Sequence, residues 1–184
     1  RLLICIRDRK TSACAKHFAV HSGPEALRHS FNVDISRRDM EDTYLPAFEA
    51  AVKEADVESV MGAYNAVNGA PCNGSTELLK DILREEWGFQ GHVVSDCWAV
   101  RDFHENHHVT DTPAESTAMA LKAGCDLNCG CTYRCLITAL HQGLVTEEDI
   151  RRAAVRLFTT RYLLGIMEGQ HTDFDEIPYS VVEC

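Results

Sequence analysis

Short apolar runs alternate with longer stretches at helical spacing, and the alternation occurs four times along the chain. The first run is "CAKHFAV" (Cys14 to Val20), which holds Lys16 and His17 within it. A helix is expected from about Ser36 to Ala55, where Ser36 can cap and Met40, Tyr44, Leu45, Phe48 and Val52 share one face. The second run is "SVMGAY" (Ser59 to Tyr64). It leads through an Asn68-Gly69 turn to a helix near Ser75 to Glu85, with Leu78, Leu79, Ile82 and Leu83 inward.

"GHVVSD" (Gly91 to Asp96) predicts a third strand. Its helix opens at "TPAE", where Thr112 caps, Pro113 sits in the first turn and Glu115 completes a capping box, and it closes at Gly124. "CDLNC" (Cys125 to Cys129) reads as a fourth strand, followed by a helix from about Thr132 to Gln142. A last helix starts at the Thr146 capping box and is expected to turn Ile150, Ala154, Leu157, Phe158 and Leu164 inward. Near-continuous apolar strands followed by amphipathic helices predict parallel βα units. Four such units are too few for a complete eight-stranded barrel, for which ~250 residues are typical. A dinucleotide-binding sheet is disfavoured, because no Gly-rich phosphate loop follows any strand.

Composition narrows the partners. With 18 basic and 28 acidic residues among 184, the net charge of −10 argues against binding nucleic acid through a general basic surface. A neutral small molecule suits it better. No apolar run approaches the ~18 to 20 residues of a membrane span, so no membrane partner is expected. The opening "RLLICIRDRK" lacks the long apolar core and cleavage site of a signal peptide. Nine cysteines are an odd number in a chain rich in aliphatic core residues. They read as reduced thiols, which favours a cytoplasmic location. No cofactor is expected.

Functional residues of parallel βα folds lie at the carboxyl ends of the strands. Those ends carry Lys16 and His17, then Met61, Tyr64 and Asn65, then Asp96 and Trp98, then Asp126 and Asn128. Charged and amide groups for sugar hydroxyls, with an indole for a pyranose face, form a sugar-site inventory. Each residue also has a plainer role. Lys16 and His17 suit satisfied interior positions, Asp96 suits a helix cap and Trp98 suits packing. Their placement on successive strand ends is what favours a site.

The segments "AKHFAV", "YLPAFEAAV", "VMGAYNAVNGAPCNGS", "LLKDILREEWGFQGHVVSD" and "ALKAGCDLNCG" together resemble glycoside hydrolase family three, from about Ala15 to Ile166. The "SDC" and "DLNCG" forms are closer to its β-xylosidase-like branch than to the β-glucosidase branch. The resemblance implies an α/β fold with parallel βα units forming roughly half of a TIM-type (β/α)8 barrel over residues 1–167, and an exit segment over 168–184. It implies a retaining exo-β-glycosidase acting on terminal β-linked xylose or glucose. Asp96 takes the place of the nucleophile. Lys16 and His17 match the pair that binds the non-reducing sugar, Tyr64 the aromatic hydroxyl near the nucleophile, and Met61 a pocket-lining residue. Arg28 lies where the family often supplies an arginine. Trp98 matches the sugar-facing indole but is displaced one position by Cys97. Lys16 and Tyr64 would supply the positive charge and hydrogen bond that an attacking carboxylate needs nearby.

Family members normally add earlier barrel strands and a second domain that supplies the acid/base glutamate. The chain therefore reads as a fragment, inactive alone, that self-association or a complementing chain would complete. His21 stands near the acid/base histidine of another family branch. Two rival readings remain: a catalytically dead half-barrel that binds sugar or a partner, and a metal-binding or redox module. The latter would use Cys125, Cys129, Cys131 and Cys135 with His104, His107 and His108, although their spacing departs from that of structural zinc sites.

Overall fold

The computed structural model describes residues 11–181 apart from 22, 168, 170, 172 and 174. The opening decapeptide read above for a signal sequence lies outside the described residues, as does part of the 168–184 exit segment.

Among the described residues there are six strands: β1 (Cys14–Phe18), β2 (Asn32–Val33), β3 (Ser59–Gly62), β4 (Ala66–Val67), β5 (Ala70–Pro71) and β6 (His92–Ser95). The main sheet runs β1-β3-β6, with every pair parallel. A single parallel bridge from Val94 to Leu127 extends it. Spatial order therefore equals chain order, the winding of a barrel segment. A doubly wound sheet would reverse direction at a switch point. A smaller sheet pairs β2 with β4 in parallel and closes β4 on β5 through the Asn68-Gly69 turn. Both turn residues have positive φ, 50° and 85°, as a tight hairpin that follows strand twist requires.

The α-helices are α1 (Arg37–Asp39), α2 (Pro46–Lys53), α3 (Asp102–Glu105), α4 (Pro113–Ala123), α5 (Leu136–His141) and α6 (Glu147–Leu163), with a further helix of π-type turns at Glu77–Glu86. The expected caps are in place. Ser36 accepts from the Asp39 N–H, Thr112 and Glu115 satisfy one another's backbone donors, and Thr146 does the same with Asp149. Gly124 ends α4 at φ 113°, where a side chain would be strained.

Three expectations require correction. The helix expected from Ser36 to Ala55 is split by a π-type turn, Met40–Tyr44, before Pro46. Pro46 has no N–H to donate, and Leu45 instead donates to Met40 O at 2.9 Å. The fourth strand is reduced to one bridge. The Asp126 carboxylate takes the Val93 N–H at 2.9 Å, and the N–H groups of Asp126 and Leu127 both donate to Val93 O. A side chain thus occupies a donor that a regular ladder would use. On α6, Phe158 is exposed rather than inward, and Ala153 and Thr160 are the residues that bury.

The core lies between the outer face of the sheet and its helices. Phe18, Val60 and Val93 meet Met40, Leu78, Leu79, Ile82, Leu83 and Phe103, all nearly free of solvent. Phe18 also makes edge contacts with Phe48 and Trp87. A second cluster, built on Ala118, Leu121, Ala139, Val145 and Ala153, joins α4, α5 and α6.

Two polar networks pin this layer to the amino end of β6. Asp126, whose side chain is buried, accepts from Arg84 at 2.7 Å and Arg156 at 3.0 Å. Arg84 reaches the carbonyls of Phe89, Gly91 and Gly124 as well. Nearby, the Thr160 hydroxyl donates to Glu58 at 2.7 Å and so accepts from His92 Nδ1 at 2.8 Å. Burial pushes the His92 imidazole below its ordinary value, against the pull of Asp126 and Glu58.

Asp126→Ala leaves two guanidiniums facing an emptied acceptor site. It is expected to lower stability by about 3–5 kcal/mol in urea unfolding. The depressed His92 value has a signed consequence too. Below about pH 6.5 the unfolded chain takes up a proton that the folded chain resists, so stability falls as pH falls. The urea midpoint should be lower at about pH 5.5 than at about pH 7.5, and His92→Gln should flatten that difference.

Candidate functional site

Three strand ends lie side by side because the register is fixed: Met61 pairs with Val94 and Gly62 with Ser95, while Phe18 of β1 pairs with Gly62. Between Ala15 and Phe18 the β1 register slips against β3. Such an irregularity re-aims side chains from simple alternation. It brings His17 across to the end of β6, where Nε2 stands 3.3 Å from Asp96 Oδ2.

Asp96 is largely buried, with its side chain 12% exposed. Its other oxygen accepts from the Cys97 N–H at 2.8 Å, and its own N–H donates to Gly62 O at 3.1 Å. Tyr64, on the loop after β3, faces the same carboxylate. Its phenol is pushed up by burial, then by the charge of Asp96 and a hydrogen bond to it, while Arg28 works the other way. His17 is pushed down by burial. Asp96 opposes that shift, and His21 and Lys16 reinforce it. A neutral imidazole therefore faces the carboxylate at neutral pH. Lys16 is exposed beside it, and Arg28 lies over the Tyr64 ring at 5.2 Å.

Met61 is half-buried on the face of β3 opposite Val60. Trp98 is 42% exposed in a left-handed conformation (φ 71°), and Arg101 lies 5.0 Å from its ring centre. His21 sits 5.0 Å from His17, ring to ring, and its Nδ1 donates toward Asn65 Oδ1 at 3.3 Å. The structure thus gathers His17, Tyr64, Asp96 and Arg28, with Lys16 and His21 at the edge and Trp98 flanking. Two strand-end residues go elsewhere. Asp126 serves the arginine network, and Asn128 bonds Ser95 Oγ and the Tyr133 N–H.

Sequence reasoning missed the residues behind Tyr64. His29 meets the Tyr64 ring edge-on at 4.6 Å, and its Nδ1 stands 2.7 Å from Asp102 Oδ2. Arg28 Nε donates to His29 Nε2 at 3.3 Å, which leaves Nδ1 as the nitrogen that donates to Asp102. Asn106 holds the other oxygen of Asp102 at 2.6 Å, and His107 reaches Tyr64 O at 2.9 Å. The "HENHH" run is the only sequence signal of this support, and it points to a metal instead.

The cysteines also require correction. Cys97 and Cys129 form a disulfide, with Cα atoms 4.5 Å apart, against the expectation of reduced thiols throughout. Cys14, Cys72, Cys125, Cys131 and Cys135 are free. The proposed cysteine quartet does not converge on a metal. Cys129 is bonded to Cys97, and burial pushes the Cys125 thiol up to about 12, where the metal-binding thiolate is scarce. His104 bonds Ser116, and among the described residues no group of three or more His, Cys, Asp or Glu is arranged to hold a metal ion. The disulfide ties the residue after Asp96 to the turn after Leu127, and Trp98 N–H adds a bond to Cys129 O at 2.7 Å.

Comparison with known proteins places this arrangement. Residues 3–160 match the model of the glycosyl hydrolase family 3 N-terminal domain. A xylan 1,4-β-xylosidase of Xylanibacter ruminicola is 47% identical over 180 residues, covering 96% of this chain and 21% of that protein. The probable β-D-xylosidase 6 of Arabidopsis thaliana is 41% identical over 86% of this chain and 20% of its own length. Among solved structures, a GH3 exo-β-xylosidase in complex with a xylobiose aziridine probe superposes with a TM-score of 0.87 at 30% identity, over 95% of this chain and 24% of that one. A β-glucosidase from Listeria innocua in complex with glucose gives 0.80 at 30% identity, over 90% and 23%. The chain thus spans about a fifth of the length of the curated relatives it matches.

Replacing Cys97 and Cys129 together by serine removes a cross-link between residues 32 apart. It is expected to lower stability by about 2–4 kcal/mol in urea unfolding. A peptide map of the non-reduced protein should recover the two cysteines in one linked fragment.

Proposed function

The chain belongs to the glycosyl hydrolase family 3 N-terminal domain family, and from that premise we propose that it carries the nucleophile of a retaining exo-β-xylosidase. The reading rests on one observation: Asp96, at the end of a parallel strand, is held by a backbone N–H and faced by His17 and Tyr64. Residues 1–167 are proposed as the barrel portion, and 168–184 as its exit segment. The xylosidase names of the more similar relatives favour xylose over glucose as the terminal sugar.

Asp96 attacks the anomeric carbon of the terminal sugar while the bond to the leaving-group oxygen breaks and an acid protonates that oxygen. Water then hydrolyses the glycosyl-aspartate, with the same acid acting as base. Retention needs a second carboxyl group ~5 to 5.5 Å from the first. Asp102 does not suit that role, because both of its oxygens are engaged away from the cleft, by His29 and Asn106. The acid is therefore proposed to come from sequence beyond this segment or from a complementing chain. Lys16, His17 and Arg28 offer donors to sugar hydroxyls. Met61 lines the floor, and the exposed indole of Trp98 offers an apolar face to the ring.

Asp96→Asn, made in the protein that carries this chain, is expected to reduce hydrolysis of an aryl β-D-xyloside by about 10³-fold or more without shifting the unfolding midpoint. The unaltered protein should hydrolyse the xyloside faster than the matching glucoside. Full activity in the Asn variant would remove Asp96 as nucleophile. Xylose binding by a protein that hydrolyses no aryl glycoside would instead indicate a sugar-binding barrel without catalysis.

A further inference from the structure

Tyr64 is held by a chain of contacts that begins at a buried carboxylate. Asp102, at the start of α3, has a side chain only 1% exposed. Asn106, one turn later on the same segment, fixes Oδ1, and Oδ2 anchors His29 Nδ1 at 2.7 Å. The His29 ring then bears on the edge of Tyr64, and Arg28 bonds His29 Nε2 while lying over the Tyr64 ring. His107, next to Asn106, fixes the Tyr64 backbone through its carbonyl.

The residues come from three separate loops: His29 after β1, Tyr64 after β3, and Asp102, Asn106 and His107 after β6. A surface histidine needs no buried carboxylate. Burying Asp102 is costly unless its oxygens are paired; here Asn106 satisfies Oδ1, and Oδ2 is left to orient the His29 imidazole. That imidazole contacts the aromatic ring whose hydroxyl faces Asp96.

We propose that the Asp102–His29 pair is a positioning device that fixes the Tyr64 ring so that its hydroxyl stays on the Asp96 carboxylate. The inference rests on the reading of Asp96 as nucleophile, but its geometric part does not. Neither His29 nor Asp102 touches the reacting atoms, so each acts only through Tyr64. A misplacement of about 1 Å in such a group costs roughly 10²-fold in rate.

The test is a double-mutant cycle in the protein that carries this chain. His29→Phe keeps a ring against Tyr64 and removes the anchor to Asp102. Its kcat on an aryl β-D-xyloside is expected to fall by roughly tenfold to a hundredfold, with KM changing little. Tyr64→Phe is expected to fall comparably. The double variant should be no worse than Tyr64→Phe alone, because the anchor has nothing left to position. Effects that multiply in the double variant would overturn the proposal. Should His29→Phe not fold, Asp102→Asn, which keeps the buried shape and removes one acceptor, enters the same cycle.

A readout free of turnover separates this idea from the glycosidase reading. In a crystal structure of the variant with the anchor removed, the Tyr64 hydroxyl is expected to swing off Asp96. An unmoved Tyr64 overturns the positioning role even if the enzyme reading stands. An unaltered protein without glycosidase activity would sink that reading, and the position of Tyr64 would then decide this one.

Discussion

The Asp126 carboxylate is where the chain is fastened. It takes the Val93 N–H from the third strand of the sheet, Arg84 from the π-type helix and Arg156 from α6. Arg84 also donates through its two Nη groups to carbonyls before β6 and after α4, while its Nε stays buried without a partner. One buried charge with two guanidiniums therefore joins four segments distant in sequence. Parallel pairing transmits that fixation along the strand. With Val93 opposite Val60, Ser95 must fall opposite Gly62 and Asp96 must follow just beyond the sheet. A slip of one residue would turn Asp96 to the helix side, so the anchor at one end sets which way Asp96 faces at the other.

The carboxyl end is held by different means, since no continuous ladder survives there. Asn65, almost fully buried, donates to the carbonyls of Ala19 and Val20 and so ties the loop after β3 to the loop after β1. The small sheet repeats that tie further out. His107 joins the loop after β6 to Tyr64, and the Cys97–Cys129 bond joins it to the segment after α4. Loops carry the functional groups because their backbone need not serve a core, but they must then be fixed by side chains.

This difference explains what could be read from the sequence. Caps, the Asn68-Gly69 turn and the alternation of strands with helices depend on residues within a few positions of one another, and they stand as expected from pattern, although that turn also closes a short hairpin the pattern did not announce. The strand-end rule located Lys16, His17, Tyr64 and Asp96 without any contact being known. What pattern could not supply was pairing at a distance. His29 and Asp102 are 73 residues apart, and Cys97 and Cys129 are 32 apart. Asp126 was misread for a related reason: a carboxylate beside a strand looks the same whether it faces a cleft or two arginines. The split at Pro46 was legible in principle, because proline cannot donate to a continuous helix.

Three aspartates show how neighbours divide the work of one side chain. An ionised carboxylate offers roughly four acceptor sites. Asp126 fills its sites with two guanidiniums and a backbone N–H, and Asp102 is engaged at both oxygens by His29 and Asn106; each side chain is 1% exposed. These two are committed to structure. Asp96 receives one backbone N–H and is faced by an imidazole that burial keeps neutral and a phenol that burial keeps protonated, with 12% of its side chain still open. It is the least saturated of the three and the one that faces the strand-end cleft. A carboxylate can attack only with a lone pair that nothing else holds. The incomplete pairing of Asp96, more than its place in a motif, is therefore the physical ground for proposing it as the nucleophile.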